Sequence, residues 1–167
     1  MTDLYVTGDD YNRLVERLAV IVHDSGWQFD NIICLARGGL RVGDALSRIF
    51  DKPLGVMTTS SYRASGGTVQ GHLKIGDKIS SAEDVTRGRV LLADDLVDSG
   101  ETLQAVLPEL KRRYPEISEL RTAVLWYKAV SVYRPDYYVE YLETSPWIHQ
   151  PFEAYEGCDI ETLRRRD

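Results

Sequence analysis

The stretch Val90-Leu-Leu-Ala-Asp-Asp-Leu-Val-Asp-Ser-Gly-Glu-Thr102 carries the pattern on which the fold turns. Four apolar residues run without alternation into Asp94 and Asp95, as expected of a strand buried on both faces of a parallel sheet. Asp98 follows three residues later, and Ser99-Gly100-Glu101-Thr102 opens a helical pattern that Pro115 stops. Adjacent carboxylates at the end of a buried strand repel one another and are costly to desolvate, so a cation or a set of hydroxyl donors should meet them. Beside them, a string of backbone N–H groups at a helix N-terminus, with two hydroxyls and a glycine, makes a cradle for an anion such as phosphate. A ligand with a diol or a metal at one end and a phosphate at the other satisfies both halves. Taken singly, Asp94 and Asp95 read as turn residues, and Asp98 or Ser99 as a helix cap. The full arrangement is much more specific than its parts.

Outward from this segment, strand and helix signals alternate. Asn31 to Ala36 is a second continuous apolar run, followed by Arg37-Gly38-Gly39 and a helical pattern from Leu40 to Phe50. Apolar residues at Leu14, Leu18, Ile21 and Val22 give a helix over Asp9 to Asp24, ended by Ser25-Gly26. A strand runs from Pro53 through about Tyr62, a glycine-rich loop or hairpin tip covers Arg63 to His72, and strands follow at Leu120–Tyr127 and Tyr137–Leu142. This order predicts an α/β fold: a mainly parallel, twisted sheet flanked by helices on both faces, with its ligand at the carboxyl ends of the strands.

Composition narrows the function. The chain has 167 residues, 43% of them hydrophobic and 28% charged, which fits one domain with a real core. A net charge of −6 argues against a general nucleic-acid coat but leaves room for a local anion site. The basic runs Lys111-Arg112-Arg113 and Arg164-Arg165-Arg166 read as solvated surface. Two cysteines, Cys34 and Cys158, make neither a disulfide framework nor a complete zinc site, and Cys34 reads as a small core hydrophobe. No secretory signal and no apolar run of membrane length is visible, so the expected location is cytoplasmic.

At this point the chain resembles a known family. Leu92-Ala-Asp-Asp-Leu-Val-Asp-Ser-Gly-Glu-Thr102 is similar to the phosphoribosyl-diphosphate signature of the type I phosphoribosyltransferases. Ala36-Arg37-Gly38-Gly39-Leu40 resembles their diphosphate loop, and Ser60-Ser61-Tyr62 the entry to their mobile loop. Lys128 and Trp147-Ile148-His149-Gln150-Pro151-Phe152-Glu153 resemble the 6-oxopurine enzymes, the bacterial xanthine-guanine group above all. The resemblance spans about Asn31 to Glu153 and implies one domain over 1–167, with a core at about 27–142 and a base-binding hood at about 143–157.

The resemblance implies transfer of a 5-phosphoribosyl group from phosphoribosyl diphosphate to hypoxanthine, guanine or xanthine, in purine salvage. It assigns Asp94 and Asp95 to the ribose hydroxyls and Ser99, Gly100, Glu101 and Thr102 to the 5′-phosphate. Arg37 and Gly38 would contact the diphosphate, with a cis Ala36–Arg37 peptide, and Asp98 would take the purine proton. Lys128, Trp147 and Ile148 would bind the purine, Lys128 by donating to the 6-oxo group and Trp147 by stacking. Mg2+ would lie near Asp95 and Glu153. Partners would be the two small-molecule substrates and further copies of the chain in a dimer or tetramer, with no nucleic acid or membrane. Two features depart from the pattern: His149 stands where the bacterial group commonly has an acidic residue, and the 63–72 loop lacks a basic residue before Leu73-Lys74. A neutral imidazole at His149 can donate to a 2-oxo group or accept from a 2-amino group, so its position leaves that choice open. Two other readings compete: a type I transferase for another base, and a non-catalytic phosphoribosyl-diphosphate sensor. The sensor should carry a basic face or an added nucleic-acid-binding segment.

Overall fold

Local sequence explains where the elements start. The computed structural model describes residues 2–61 and 73–166. Helix α1 (Gly8–Asp24) begins at a capping box in which the Thr7 hydroxyl accepts from the Asp10 N–H at 3.1 Å while the Asp10 carboxylate reaches back to Thr7. Strand β1 (Leu4–Tyr5) precedes it; β2 (Asn31–Ala36), α2 (Leu40–Phe50) and β3 (Leu54–Ser61) follow. Then come β4 (Leu73–Ile75), β5 (Gly88–Ala93), β6 (Leu96–Val97), α3 (Glu101–Arg113), β7 (Ile117–Lys128) and β8 (Tyr137–Leu142). Strand β9 (Ile148–His149), a 3-10 turn at Glu153–Tyr155 and α4 (Ile160–Arg164) complete the described chain.

Seven strands form the main sheet in the order β4-β3-β2-β5-β7-β6, with β8 also on β7. All pairings are parallel except β3 with β4. The expected flexible segment 63–72 lies outside the described residues, as does Tyr62.

All six residues of β2 are buried, which explains its unbroken apolar run. Successive side chains go to opposite faces. Ile32, Cys34, Leu91, Ala93 and Leu125 join Leu14, Leu18, Val22, Val42 and Leu46 of α1 and α2. Ile33, Leu35, Val90, Leu92 and Val124 join Leu103, Val106 and Leu110 of α3. Helices therefore cover both faces, as expected. Cys34 is fully buried in the first of these layers, and burial pushes its thiol up to about 11, which fits its reading as a small hydrophobe.

The two-residue strands β1 and β9 form a separate parallel pair, Leu4 opposite Ile148 and Tyr5 opposite His149. The pair brings the N-terminus to the hood segment that follows β8. Among the described residues no helix is long and apolar enough to cross a membrane. Leu91 is fully buried at the centre of the sheet, so Leu91→Ala is expected to lower the unfolding free energy by about 2–5 kcal/mol. Urea denaturation measures it; a loss below about 0.5 kcal/mol, typical of exposed positions, would contradict the packing described.

Candidate active site

The parallel strands β2, β5 and β7 end on one side, and the loops that leave them build the site. A cavity of about 210 Å³ opens there, lined by residues 94–100 with Thr102 and Leu103. A larger cleft of about 580 Å³ lies near the opposite strand ends, with Trp27, Phe50, Lys52 and Arg89 among its lining residues. The smaller cavity holds the converging acidic and hydroxyl groups.

Asp94 follows the last residue of β5. Burial, then the charge of neighbouring Asp95, pushes its carboxyl well above the ordinary carboxylate range. Its Oδ1 accepts from the Asp95 N–H at 2.9 Å. The Asp95 carboxylate is held on both oxygens: Oδ1 accepts from Leu96 N–H at 2.8 Å and Oδ2 from the Gln150 amide at 2.7 Å. It lies against Gly38, where an added Cβ would sit 2.8 Å from three atoms of that carboxylate. Any side chain at 38 would displace it. The Ala36–Arg37 peptide leading into this loop is cis, and Arg37 is exposed beside it.

Gly100 caps α3 with φ +82°, a left-handed conformation that side chains rarely adopt. A Cβ there would collide with Ser131 Oγ and approach Tyr133 N to 2.8 Å. The loop behind it is fixed: Val132 N–H donates to Ser99 C=O at 2.8 Å, and buried Thr122 ties Tyr133 and Asp136 to β7. Ser99 Oγ accepts from Glu101 N–H at 3.3 Å. Glu101 and Thr102 form the first turn of α3, whose positive end faces the cavity with Ser99 and Gly100.

Lys128, the last residue of β7, is only 4% exposed, yet its ammonium meets Asp98 Oδ2 at 3.0 Å. A lone lysine at a strand end is ordinarily solvated; this one is buried and paired, with Asp98 half-exposed at the cavity. Trp147 stands 54% exposed, its indole N–H pinned to Glu153 Oε1 at 2.7 Å, and Ile148 is buried beside it in β9. Ser60 and Ser61 end β3 opposite Lys74 and Leu73.

Two residues of the 143–157 segment are tied to neighbouring side chains. Both nitrogens of the His149 ring are engaged: Nδ1 meets Glu153 at 2.8 Å, Nε2 meets Asp3 at 3.0 Å, and the ring stacks on Tyr5 at 4.4 Å. The bond to Asp3, then the one to Glu153, raises its pKa above the ordinary histidine value. Glu153, expected near the metal, uses one oxygen on Trp147 and the other on His149. Sequence reasoning missed Gln150 and Asp3 altogether. Gln150 lay inside the quoted hood motif, but a neutral amide gives no charge signal.

Among the described residues no group of three His, Cys, Asp or Glu side chains could cage a metal ion. The Asp94–Asp95 pair nevertheless suits magnesium, which is commonly held by one or two carboxylates together with substrate phosphates and water.

The site thus joins a carboxylate pair at the end of a parallel strand to the N-terminal turn of α3. Residues 7–156 match the model of the family described as the phosphoribosyl transferase domain, and the chain belongs to that family. A solved purine phosphoribosyltransferase from Pyrococcus horikoshii is 33% identical, with 91% of this chain and 95% of that one covered and a TM-score of 0.73. The xanthine-guanine-hypoxanthine phosphoribosyltransferase of Helicobacter pylori shares the fold at 22% identity and a TM-score of 0.76, over 98% of this chain and 99% of that one. A curated hypoxanthine/guanine phosphoribosyltransferase of Methanocella arvoryzae is 31% identical over 108 residues, 62% of this chain and 55% of that protein. The chain spans about half the length of the curated relatives it matches.

The raised carboxyl of Asp94 has a consequence for stability. As pH rises from about 4, the unfolded chain releases this proton first, so the folded state loses stability until the folded-state pKa is passed. Asp94→Asn keeps an oxygen to accept from Asp95 N–H and removes the charge. Its melting temperature at pH 7 should exceed that of the parent protein, with the gap closing towards pH 3; equal melting temperatures at pH 7 would contradict the assigned burial.

Proposed function

We propose that the chain transfers a 5-phosphoribosyl group from phosphoribosyl diphosphate to a 6-oxopurine, releasing the nucleoside monophosphate and diphosphate. The observation that carries this reading is the buried Lys128 ammonium on Asp98, set beside the Ser99–Thr102 cradle. It puts a donor and a proton acceptor within one site, next to a place for the 5′-phosphate. The identities of the relatives point the same way, as does the P. horikoshii purine enzyme that matches along nearly its whole length.

In this reading the amides of Ser99 to Thr102 hold the 5′-phosphate at the positive end of α3. Asp94 and Asp95 accept from the ribose hydroxyls, and Arg37 and Gly38 meet the diphosphate. Asp94 and Asp95 would hold magnesium, which would supply neutralisation of the leaving-group charge. A purine ring nitrogen attacks the anomeric carbon as the bond to diphosphate breaks, and the proton lost by the purine goes to the Asp98 carboxylate. The same carboxylates favour the positive charge that develops on the sugar. The loop entered at Ser60, Ser61 and Tyr62 would exclude water.

Base choice follows from hydrogen-bond polarity. Lys128 has three donors and no acceptor; with one on Asp98, the others can serve a 6-oxo group and oppose the 6-amino group of adenine. Trp147, exposed and fixed by Glu153, gives a stacking platform without choosing among purines. With both nitrogens of His149 engaged, selection at the 2-position falls to the backbone around Ile148.

An assay with labelled hypoxanthine, guanine, xanthine, adenine, uracil and orotate, with phosphoribosyl diphosphate and magnesium, should show turnover of hypoxanthine and guanine. Efficient use of adenine, or full activity in Lys128→Ala, would refute base reading by Lys128. Asp98→Asn should lower kcat by roughly 10²–10⁴ with much less effect on phosphoribosyl diphosphate affinity; an equal loss in both would make Asp98 a binding residue. Gly100→Val, which forces a side chain into a left-handed turn and against the Ser131–Tyr133 backing of the cradle, should distort the Ser99–Thr102 amides and raise the KM for phosphoribosyl diphosphate, and near-normal binding in the folded variant would remove the cradle assignment.

A further inference from the structure

Gln150 stands in the hood, directly after β9, yet its side chain leaves the hood. Its amide Nε2 donates to Asp95 Oδ2 at 2.7 Å, across 55 residues of sequence. Its other amide atom, Oε1, is buried and has no hydrogen-bond partner among the described residues. A residue kept for the hood's own architecture would bond its carbonyl oxygen there, because a buried acceptor without a donor is unfavourable. The orientation of this amide is set by Asp95, which as a carboxylate only accepts.

The contact is one of four that hold Asp95. Gly38 lies against its carboxylate, Leu96 N–H holds Oδ1, and the backbone C=O of Asp95 accepts from Leu125 N–H at 2.8 Å. Gln150 supplies the hold on Oδ2, and it comes from the segment that also presents Trp147 and Ile148. Phe152, two residues on, is anchored by the edge of Tyr11 from α1 and by the Arg41 guanidinium 4.8 Å above its ring. The hood end of the bond is therefore well seated.

We propose that Gln150 is a positioning residue that fixes the Asp95 carboxylate for the sugar hydroxyls and links the purine-binding hood to the phosphoribosyl site. The inference rests on the functional reading above. It makes Gln150 matter to one substrate more than the other: the bond orients a ribose ligand, and nothing in it touches the purine.

The test is Gln150→Leu, close in size and without a donor, beside Gln150→Glu, which keeps the shape and sets a carboxylate against Asp95. Calorimetric binding of phosphoribosyl diphosphate to the full chain, steady-state KM for each substrate and the melting temperature are measured. Gln150→Leu should weaken phosphoribosyl diphosphate binding and raise its KM about 10-fold or more, and Gln150→Glu further. The KM for guanine should stay within about threefold, and melting should change little. Unchanged phosphoribosyl diphosphate binding in a folded Gln150→Leu would overturn the proposal. So would equal losses for both substrates together with a lowered melting temperature, the mark of a merely structural role. If the parent protein binds phosphoribosyl diphosphate but turns over no 6-oxopurine, the base assignment fails while the binding comparison still decides the role of Gln150. If the parent does not bind phosphoribosyl diphosphate, the functional reading falls and the proposal with it.

Discussion

Two carboxylates side by side at the end of a buried strand must be held, and much of this site serves that need. Ala93 is fully buried and the chain then presents Asp94 and Asp95 in succession. Mutual repulsion and loss of water both oppose the doubly charged state. The protein holds the pair with hydrogen bonds: Asp95 N–H on Asp94, Leu96 N–H and Gln150 on Asp95. A glycine at 38 lets the β2–α2 loop lie against the same carboxylate. In the proposed function, donors that arrive with a sugar or a metal-bearing diphosphate would relieve what remains. The parallel sheet supplies the rigidity, since β5 lies between β2 and β7 with helices over both faces.

The second half of the site depends on backbone geometry. Gly100 takes a conformation that other residues rarely adopt and lets the 129–136 loop pack behind the start of α3. That packing brings Lys128, at the end of β7, onto Asp98. The start of α3, the Asp98 carboxylate and the buried Lys128 ammonium thus meet at one turn and one strand end. In the hood, Asp3, His149, Glu153 and Trp147 form a chain of hydrogen bonds that ends in an indole ring facing solvent.

Elements with a strong local signal were legible in the sequence. Asn31–Ala36, Leu40–Phe50 and Tyr137–Leu142 have the bounds their apolar pattern implies. The strand ending at Asp94 and the helix opening after Gly100 carried the acidic pair and the cradle together. The short strands β1, β6 and β9 were not legible, because two residues hold no period and their pairing is made by tertiary contact. The partners of His149 were hidden for the same reason: one of its carboxylate partners, Asp3, lies 146 residues away. Glu153 carried a family expectation, and only the folded hood shows its two oxygens committed to Trp147 and His149. The burial of Lys128 was equally invisible, since a charged residue at a strand end gives no local sign of being enclosed.

The account rests on one placement: phosphate at the start of α3 and ribose at the acidic pair. A crystal structure of the chain with bound guanosine monophosphate tests it most directly. The account predicts the 5′-phosphate on the amides of Ser99 to Thr102, the ribose hydroxyls at Asp94 and Asp95, and the guanine 6-oxo group at Lys128 with its ring on Trp147. The nucleotide seated instead in the cleft by Trp27, Lys52 and Arg89, with Ser99 to Thr102 free of phosphate, would contradict it.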